Sequence, residues 1–254
     1  MAECPWLWKR LEVVVGQMKV NNIGILGTRR LESVKRVRLL SKYHPDEEEA
    51  EAVFQAIQDH EGIKELNISQ NEISKVNPTT LAKAVNSMEQ VNLFNAKLTI
   101  EQLQALFKQM ARETKLKVLS IGCVNISGVN PEEMSAGLNK VNTARLCNTA
   151  ITTGQLEALF RVMAERSELK EIDLGHNNLA GVNAEVLTYG IKNIETAKLY
   201  DTNMSRTQIE SILGNVGNKI KTMDICFNQA IRETPRQVFM DAEAKIGELS
   251  YLMH

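Results

Sequence analysis

Apolar residues recur along this chain in short runs of the form L-x-x-L-x-L, each followed five residues on by another apolar position. In IKELNISQNEI these are Ile63, Leu66, Ile68 and Ile73; the same spacing gives Leu116, Leu119, Ile121 and Ile126, then Leu169, Ile172, Leu174 and Leu179. Between them lie Met88, Val91, Leu93 and Leu98, then Val141, Ala144, Leu146 and Ile151, then Ile194, Ala197, Leu199 and Met204. The starts at 63, 88, 116, 141, 169 and 194 are separated by alternating steps of 25 and 28, so the full period is 53 residues. Phe54, Phe107 and Phe160 keep that step, as do Leu81, Met134 and Leu187, and Asn77, Asn130 and Asn183. Strict spacing of this kind means stacked repeats, each burying its apolar face against its neighbours.

Weaker matches extend the template to Val34, Val37 and Leu39 upstream, to Ile220, Met223 and Ile225 downstream, and to Trp8, Leu11, Val13 and Met18 at the start, about nine units in all. Alternating residues such as Leu66 and Ile68 point to one face of a short strand whose other face is polar. A helix follows each strand, and its start differs between the two kinds of unit. The 25-residue unit offers Asn77 as N-cap and Pro78 at the first helical position, a pair repeated at Asn130 and Pro131. The 28-residue unit spaces Thr99 and Gln102, Thr152 and Gln155, and Ser205 and Gln208 as capping boxes. Leu103, Leu106, Phe107 and Met110 then supply a buried helical stripe.

Strands joined through helices run parallel, and a strand spacing of about 4.8 Å is narrower than a helix diameter of about 10 Å. The helix side must fan out, which predicts an α/β solenoid: a horseshoe segment with a concave parallel sheet of about nine strands and helices on the convex side. One continuous core makes residues 1–254 a single domain, with repeats over 8–230 and a C-terminal cap over 231–254, where Val238, Phe239, Ala242 and Ile246 would shield the last repeat.

The runs LKEIDLGHNNL and IKELNISQNEI resemble leucine-rich repeats, and the alternating 25- and 28-residue units resemble the ribonuclease-inhibitor-like class over roughly residues 8 to 230. The position that carries the repeat asparagine holds Asn71, Asn177 and Asn228, but Ala96, Val124, Thr149 and Thr202 elsewhere. Turns without the asparagine need another way to satisfy their backbone groups. The resemblance implies a protein-interaction module that binds its partner on the concave face.

Composition narrows the function further. A formal net charge of -1 offers no broad field for nucleic acid or an anionic membrane. Cys4, Cys123, Cys147 and Cys226 show neither C-x-x-C spacing nor paired flanking clusters, no apolar leader precedes the repeats, and no segment of about 18 apolar residues occurs, which points to an intracellular, cytoplasmic protein with free thiols. His44, His60, His176 and His254 are not spaced as metal ligands, and no nucleophile elbow or phosphate-cradling glycine loop is present. The chain therefore reads as a non-enzyme without cofactor or metal.

The repeat phase locates a candidate surface. The fifth position of each run projects from the sheet, and from the sixth run onward it carries Arg145, Asp173, Lys198 and Asp224, alternating in sign so that neighbours neutralise one another. Two residues later the column reads Ser69, Phe94, Gly122, Cys147, Gly175 and Tyr200, where Phe94 and Tyr200 are aromatic on a solvent-facing side. Partner contacts favour such residues. The candidate partner-binding set is Phe94, Arg145, Asp173, Lys198, Tyr200 and Asp224. At the start, PWLWKRL is similar to the segment that closes an F-box, which implies an upstream domain contacting Trp6 and Trp8 and a substrate-recognition role in a ubiquitin-ligase receptor. Repeats of the same class also form the sensing arm of innate-immune receptors and activate small GTPases, so those roles stand as alternatives. The basic cluster Arg29, Arg30, Lys35, Arg36, Arg38 and Lys42 is followed by Asp46, Glu47, Glu48, Glu49 and Glu51, and acids in the first turn after Pro45 are an ordinary arrangement at a helix start.

Overall fold

The computed structural model describes residues 11–15, 18–20, 34–39, 47–59, 62–165 and 167–252. Trp6, Trp8, Cys4, Arg29, Arg30, Lys42, His44, His60 and His254 lie outside the described residues. The chain divides into two compact units, Met1–Val124 and Asn125–His254.

The first unit contains strands β1 (Leu11–Val15), β2 (Met18–Val20), β3 (Val34–Leu39), β4 (Glu65–Asn67), β5 (Gln90–Asn92) and β6 (Val118–Ser120). Its helices are α1 (Glu47–Gln58), α2 (Pro78–Asn86) and α3 (Ile100–Arg112). The second unit contains α4 (Pro131–Leu138), β7 (Thr143–Arg145), α5 (Thr153–Glu165), β8 (Glu171–Asp173), α6 (Ala184–Ile191), β9 (Thr196–Lys198), α7 (Arg206–Gly214), β10 (Thr222–Asp224), a 3-10 turn at Gln229–Glu233, α8 (Arg236–Glu243) and β11 (Glu248–Ser250). Strand order follows chain order from β3 to β6 and from β7 to β11. Each unit is thus a strand–turn–helix solenoid of the expected α/β kind. No helix among the described residues is long and apolar enough to cross a membrane.

Among the described residues nine strands belong to the repeat, but not the nine that the spacing suggests. Leu11–Val15 pairs antiparallel with both β2 and β3, so it is no parallel repeat strand. Only two residues separate it from β2, and a parallel crossover needs a dozen or more. The ninth repeat strand is instead β11, parallel to β10, inside the stretch expected to act only as a cap. The cap helix does form, with Phe239 and Ala242 buried; Ile246 is buried too, beyond the helix, as the first apolar position of a further run.

The core lies between the strand and helix layers. Leu66, Leu119, Ile172 and their equivalents are buried, and so are Phe54, Phe107 and Phe160 on the helices that follow. At Gly190 a Cβ would stand 2.8 Å from the Phe160 Cα, so α6 approaches α5 more closely than any side chain there would allow. The helix starts follow the sequence. Asn77, Asn130 and Asn183 accept hydrogen bonds from first-turn N–H groups, and Thr99 and Ser205 form complete capping boxes.

The capping-box glutamines do more than cap. Gln102, Gln155 and Gln208 are buried, and each Nε2 donates to two carbonyls of the preceding repeat: Ile73 and Val76, Ile126 and Val129, Leu179 and Val182. A second device alternates with it. Asn177 donates to the Leu146 and Leu174 carbonyls and accepts from the Thr149 N–H; Asn228 donates to Leu199 and Ile225 and accepts from Thr202. Where the asparagine is missing, Ala96 and Val124 hold the equivalent positions, both buried, and close their turns with backbone bonds from their own N–H to Leu93 and Ile121. An apolar pair replaces a hydrogen-bonded pair, a near-neutral exchange when both members change together.

Candidate functional site

Every described strand exit turns the chain the same way. The residue after the seventh position adopts a left-handed backbone at Gln70, Asn95, Cys123, Asn148, His176, Asp201 and Phe227, with φ between 51° and 61°. Asn, Asp and His enter this conformation more readily than other side chains, whereas Phe227 holds it at some cost. Phe227 also leaves 43% of its surface exposed.

The fifth-position column is in register. Arg145, Asp173, Lys198, Asp224 and Ser250 are successive cross-strand partners on the second unit's sheet face. The charges do not simply neutralise one another along that column. Arg145 bonds Glu171, at 3.4 Å, on the neighbouring strand. The two aspartates serve the backbone: Asp173 Oδ1 accepts from the Gly175 N–H and Asp224 Oδ1 from the Cys226 N–H, both at 3.0 Å. In the first unit Asn67 and Asn92 do the same for Ser69 and Phe94, at 3.0 and 2.9 Å. The fifth position therefore carries Asp or Asn chiefly because a short side-chain oxygen bridges the strand exit. Asp173 is only 8% exposed, and burial pushes its carboxyl above the usual carboxylate range against the pull of the Gly175 N–H and Lys198.

Tyr200 is the most distinctive side chain on this face. A Cβ at Gly175 would lie 2.2 Å from its Cζ, so the ring rests directly on the glycine backbone of the neighbouring strand. The His176 ring meets it edge-on, with centroids 5.0 Å apart, and His176 Nδ1 lies 2.7 Å from Asp201 Oδ2. Tyr200 is half-buried while His176 and Asp201 are exposed, so the ring is held by Gly175 from below and by His176 from one side. Phe94 is likewise half-buried, in the first unit, while the other five candidates lie in the second.

His176, which the sequence shows following a strand where it could face a partner, and Asp201 both lie outside the candidate set drawn from the sequence. The signal that could have found them is the eighth position, where Asn95, Asn148 and Asp201 mark a left-handed turn that brings the residue before it onto the sheet face. Among the described residues Cys123, Cys147 and Cys226 are free thiols, and burial, the largest cause, pushes that of Cys226 upward. No group of three or more His, Cys, Asp or Glu side chains among the described residues is placed to hold a metal ion.

No family model matches the chain, and no curated protein matches it. Among solved structures it is similar to the leucine-rich repeat-containing protein LegL7 from Legionella pneumophila, with a TM-score of 0.55 and 14% sequence identity over 87% of this chain and 83% of that one. The likeness is one of fold.

Proposed function

We propose that this chain is a protein-interaction module, without catalytic activity of its own, that engages its partner through the sheet face, with Tyr200 as the anchor in the second unit. The observation that carries this reading is the Tyr200 ring seated on Gly175 and braced by His176. An aromatic ring already fixed in one pose loses little conformational freedom on binding, and Tyr is among the residues enriched at binding hot spots. The alternating 25- and 28-residue units and the absence of a membrane-crossing helix among the described residues fit an intracellular module of the ribonuclease-inhibitor-like class.

The test is quantitative affinity capture from cell extract with wild type, Tyr200→Ala, Phe94→Ala and Tyr189→Ala. Tyr189 is 55% exposed on α6 and serves as the helix-side control. Partners enriched by wild type should be lost with Tyr200→Ala and kept with Tyr189→Ala; the reverse pattern would move the binding surface to the helices and overturn the proposal.

A further inference from the structure

The two sheet faces differ in chemistry. Positions three and five of β7 to β11 carry two cations, Arg145 and Lys198, against four anions, Glu171, Asp173, Asp224 and Glu248, a balance of two minus four, or -2. The same positions of β3 to β6 carry Arg36 and Arg38 against Glu65 alone, two minus one, or +1, and Arg36 pairs with Glu65 at 2.6 Å. The centre of the first face is uncharged. Asn67 and Asn92 are direct cross-strand partners there, flanked by Arg38 and Ser120 in the same column.

The strand-exit bonds decide how those two amides point. Each Oδ1 is held by a backbone N–H, that of Ser69 or of Phe94, so each Nδ2 is turned away from the exit turn. Neither Nδ2 meets an acceptor within the described residues, and both side chains are half-exposed. Two parallel NH2 donors thus stand about one strand spacing, ~4.8 Å, apart. Phe94 adjoins them, and no carboxylate stands between Arg38 and Ser120 in the column, the nearest along it being Glu12 opposite Arg38. A pair of donors at that separation suits the two oxygens of one carboxylate, and hydrogen bonds to an ionised acceptor are the stronger kind. In the second unit Asp173 and Asp224 make the same exit bonds but present oxygens only, so that face has no counterpart.

We propose that the Asn67–Asn92 pair is a carboxylate clamp, and that the first unit's sheet face receives an extended acidic segment of a protein partner, one Asp or Glu side chain seated between the two amides and the neighbouring residues passing over Phe94. This rests on the protein-binding reading above but not on Tyr200, so the two fail separately. The clamp is neutral and closely spaced, which favours a single carboxylate over the repeating phosphates of a nucleic acid, whose recognition needs an array of cations.

The test uses the full chain and fluorescence anisotropy with a labelled dodecapeptide of alternating Glu and Gly, beside Gln–Gly and Lys–Gly dodecapeptides and a twelve-nucleotide oligothymidylate. The decisive variant is Asn67→Asp with Asn92→Asp. Aspartate accepts the same Ser69 and Phe94 N–H bonds, so the fold is kept, with a thermal midpoint lowered only by the repulsion of two carboxylates on adjacent strands, while both donors become acceptors. The Glu–Gly peptide should bind wild type at least tenfold more tightly than the other three probes and lose that advantage in the double variant. Asn92→Asp alone should weaken it by about tenfold, the loss expected for one hydrogen bond to a charged group. Tyr200→Ala should leave it unchanged. No binding of the Glu–Gly peptide, equal binding by wild type and the double variant, or tighter binding of the oligothymidylate would each overturn the proposal.

Discussion

Replacing Gln155 by Leu keeps the side chain's approximate bulk and removes its hydrogen bonds, which isolates what the buried amide contributes. Its Oε1 accepts from the Thr152 N–H at 2.9 Å, and its Nε2 donates to the Ile126 and Val129 carbonyls at 2.8 and 2.7 Å. Thr152 is exposed, so its N–H can turn to water; the two carbonyls face a side chain that is 1% exposed and cannot. The Ile126 carbonyl keeps the Val129 N–H at 3.0 Å, so losing its second donor costs about 1 kcal/mol, while the Val129 carbonyl is left without a donor at about 1–3 kcal/mol. The added apolar burial of leucine returns about 1–2 kcal/mol. A net loss of about 1.5 kcal/mol follows, which for a chain of this size lowers the thermal midpoint by roughly 3–6 °C. Urea denaturation followed by far-ultraviolet circular dichroism measures it, with Gln102→Leu and Gln208→Leu as replicates one period away. A Gln155→Leu midpoint that differs from wild type by less than about 0.5 kcal/mol would refute the reasoning. Gln155→Glu adds a pH signature. A carboxylate against two carbonyls is disfavoured, so its folded pKa is raised above the unfolded value of about 4.3. Such a group's stability is fully present below the unfolded pKa and is lost as pH rises through the folded one. The variant should therefore approach wild type near pH 4 and fall behind it at neutral pH.

Four further outcomes are expected. Gly175→Ala should cost about 1–3 kcal/mol by driving the Tyr200 ring off its seat, and adding Tyr200→Ala should recover most of that in the same urea titration; a Gly175→Ala loss unchanged by the second substitution would show that the ring is not what the methyl meets. Asp173→Asn keeps an oxygen for the Gly175 N–H and removes a carboxyl whose folded pKa is raised, a shift that weakens the wild type as pH rises through that pKa; melting curves should show the variant equal or more stable at pH 7 and the difference shrinking on acidification. Val124→Asn should lose about 1–3 kcal/mol by burying an amide beside Ala96, with Ala96→Thr restoring the hydrogen-bonded pair and much of the stability. Gly190→Val should destabilise by more than about 3 kcal/mol, because the atoms it meets include the Phe160 backbone and cannot swing aside; near-wild-type urea stability would contradict the close approach of α6.

The scaffold was legible because its period is carried by residues whose burial is obligatory. Leu66, Leu119 and Ile172, the three phenylalanines and the Asn and Thr caps each announce a local structure that tertiary contacts then reinforce. The ends were read less well. Leu11 and Val13 show the same alternation in an antiparallel strand as in a parallel one, so hydrophobic pattern alone cannot give strand direction. Leu249 was hidden because Ala242 and Ile246 continue a plausible helical stripe. On the sheet face, projection was readable and partnership was not. The sign alternation of Arg145, Asp173, Lys198 and Asp224 suggested mutual pairing, whereas the aspartates are occupied by N–H groups two residues on in their own strands. The seat of Tyr200 on Gly175 depends on the ring crossing to the adjacent strand, which a list of columns does not contain.

The alternation of the two junction devices bears on how such a chain can grow. The asparagine of one kind of unit reaches back to a threonine turn in the other kind, and the glutamine of the second reaches back to carbonyls in the first. Removing or copying a single unit would set like against like: with residues 141–168 excised, Asn177 would meet Val124 in place of Thr149. Removing or copying two units at once keeps every reach matched. Gene duplication, and equally the designer who wants a longer or shorter version, should therefore work in steps of 53 residues, and changes by an odd number of units should be the ones that fail to fold cleanly.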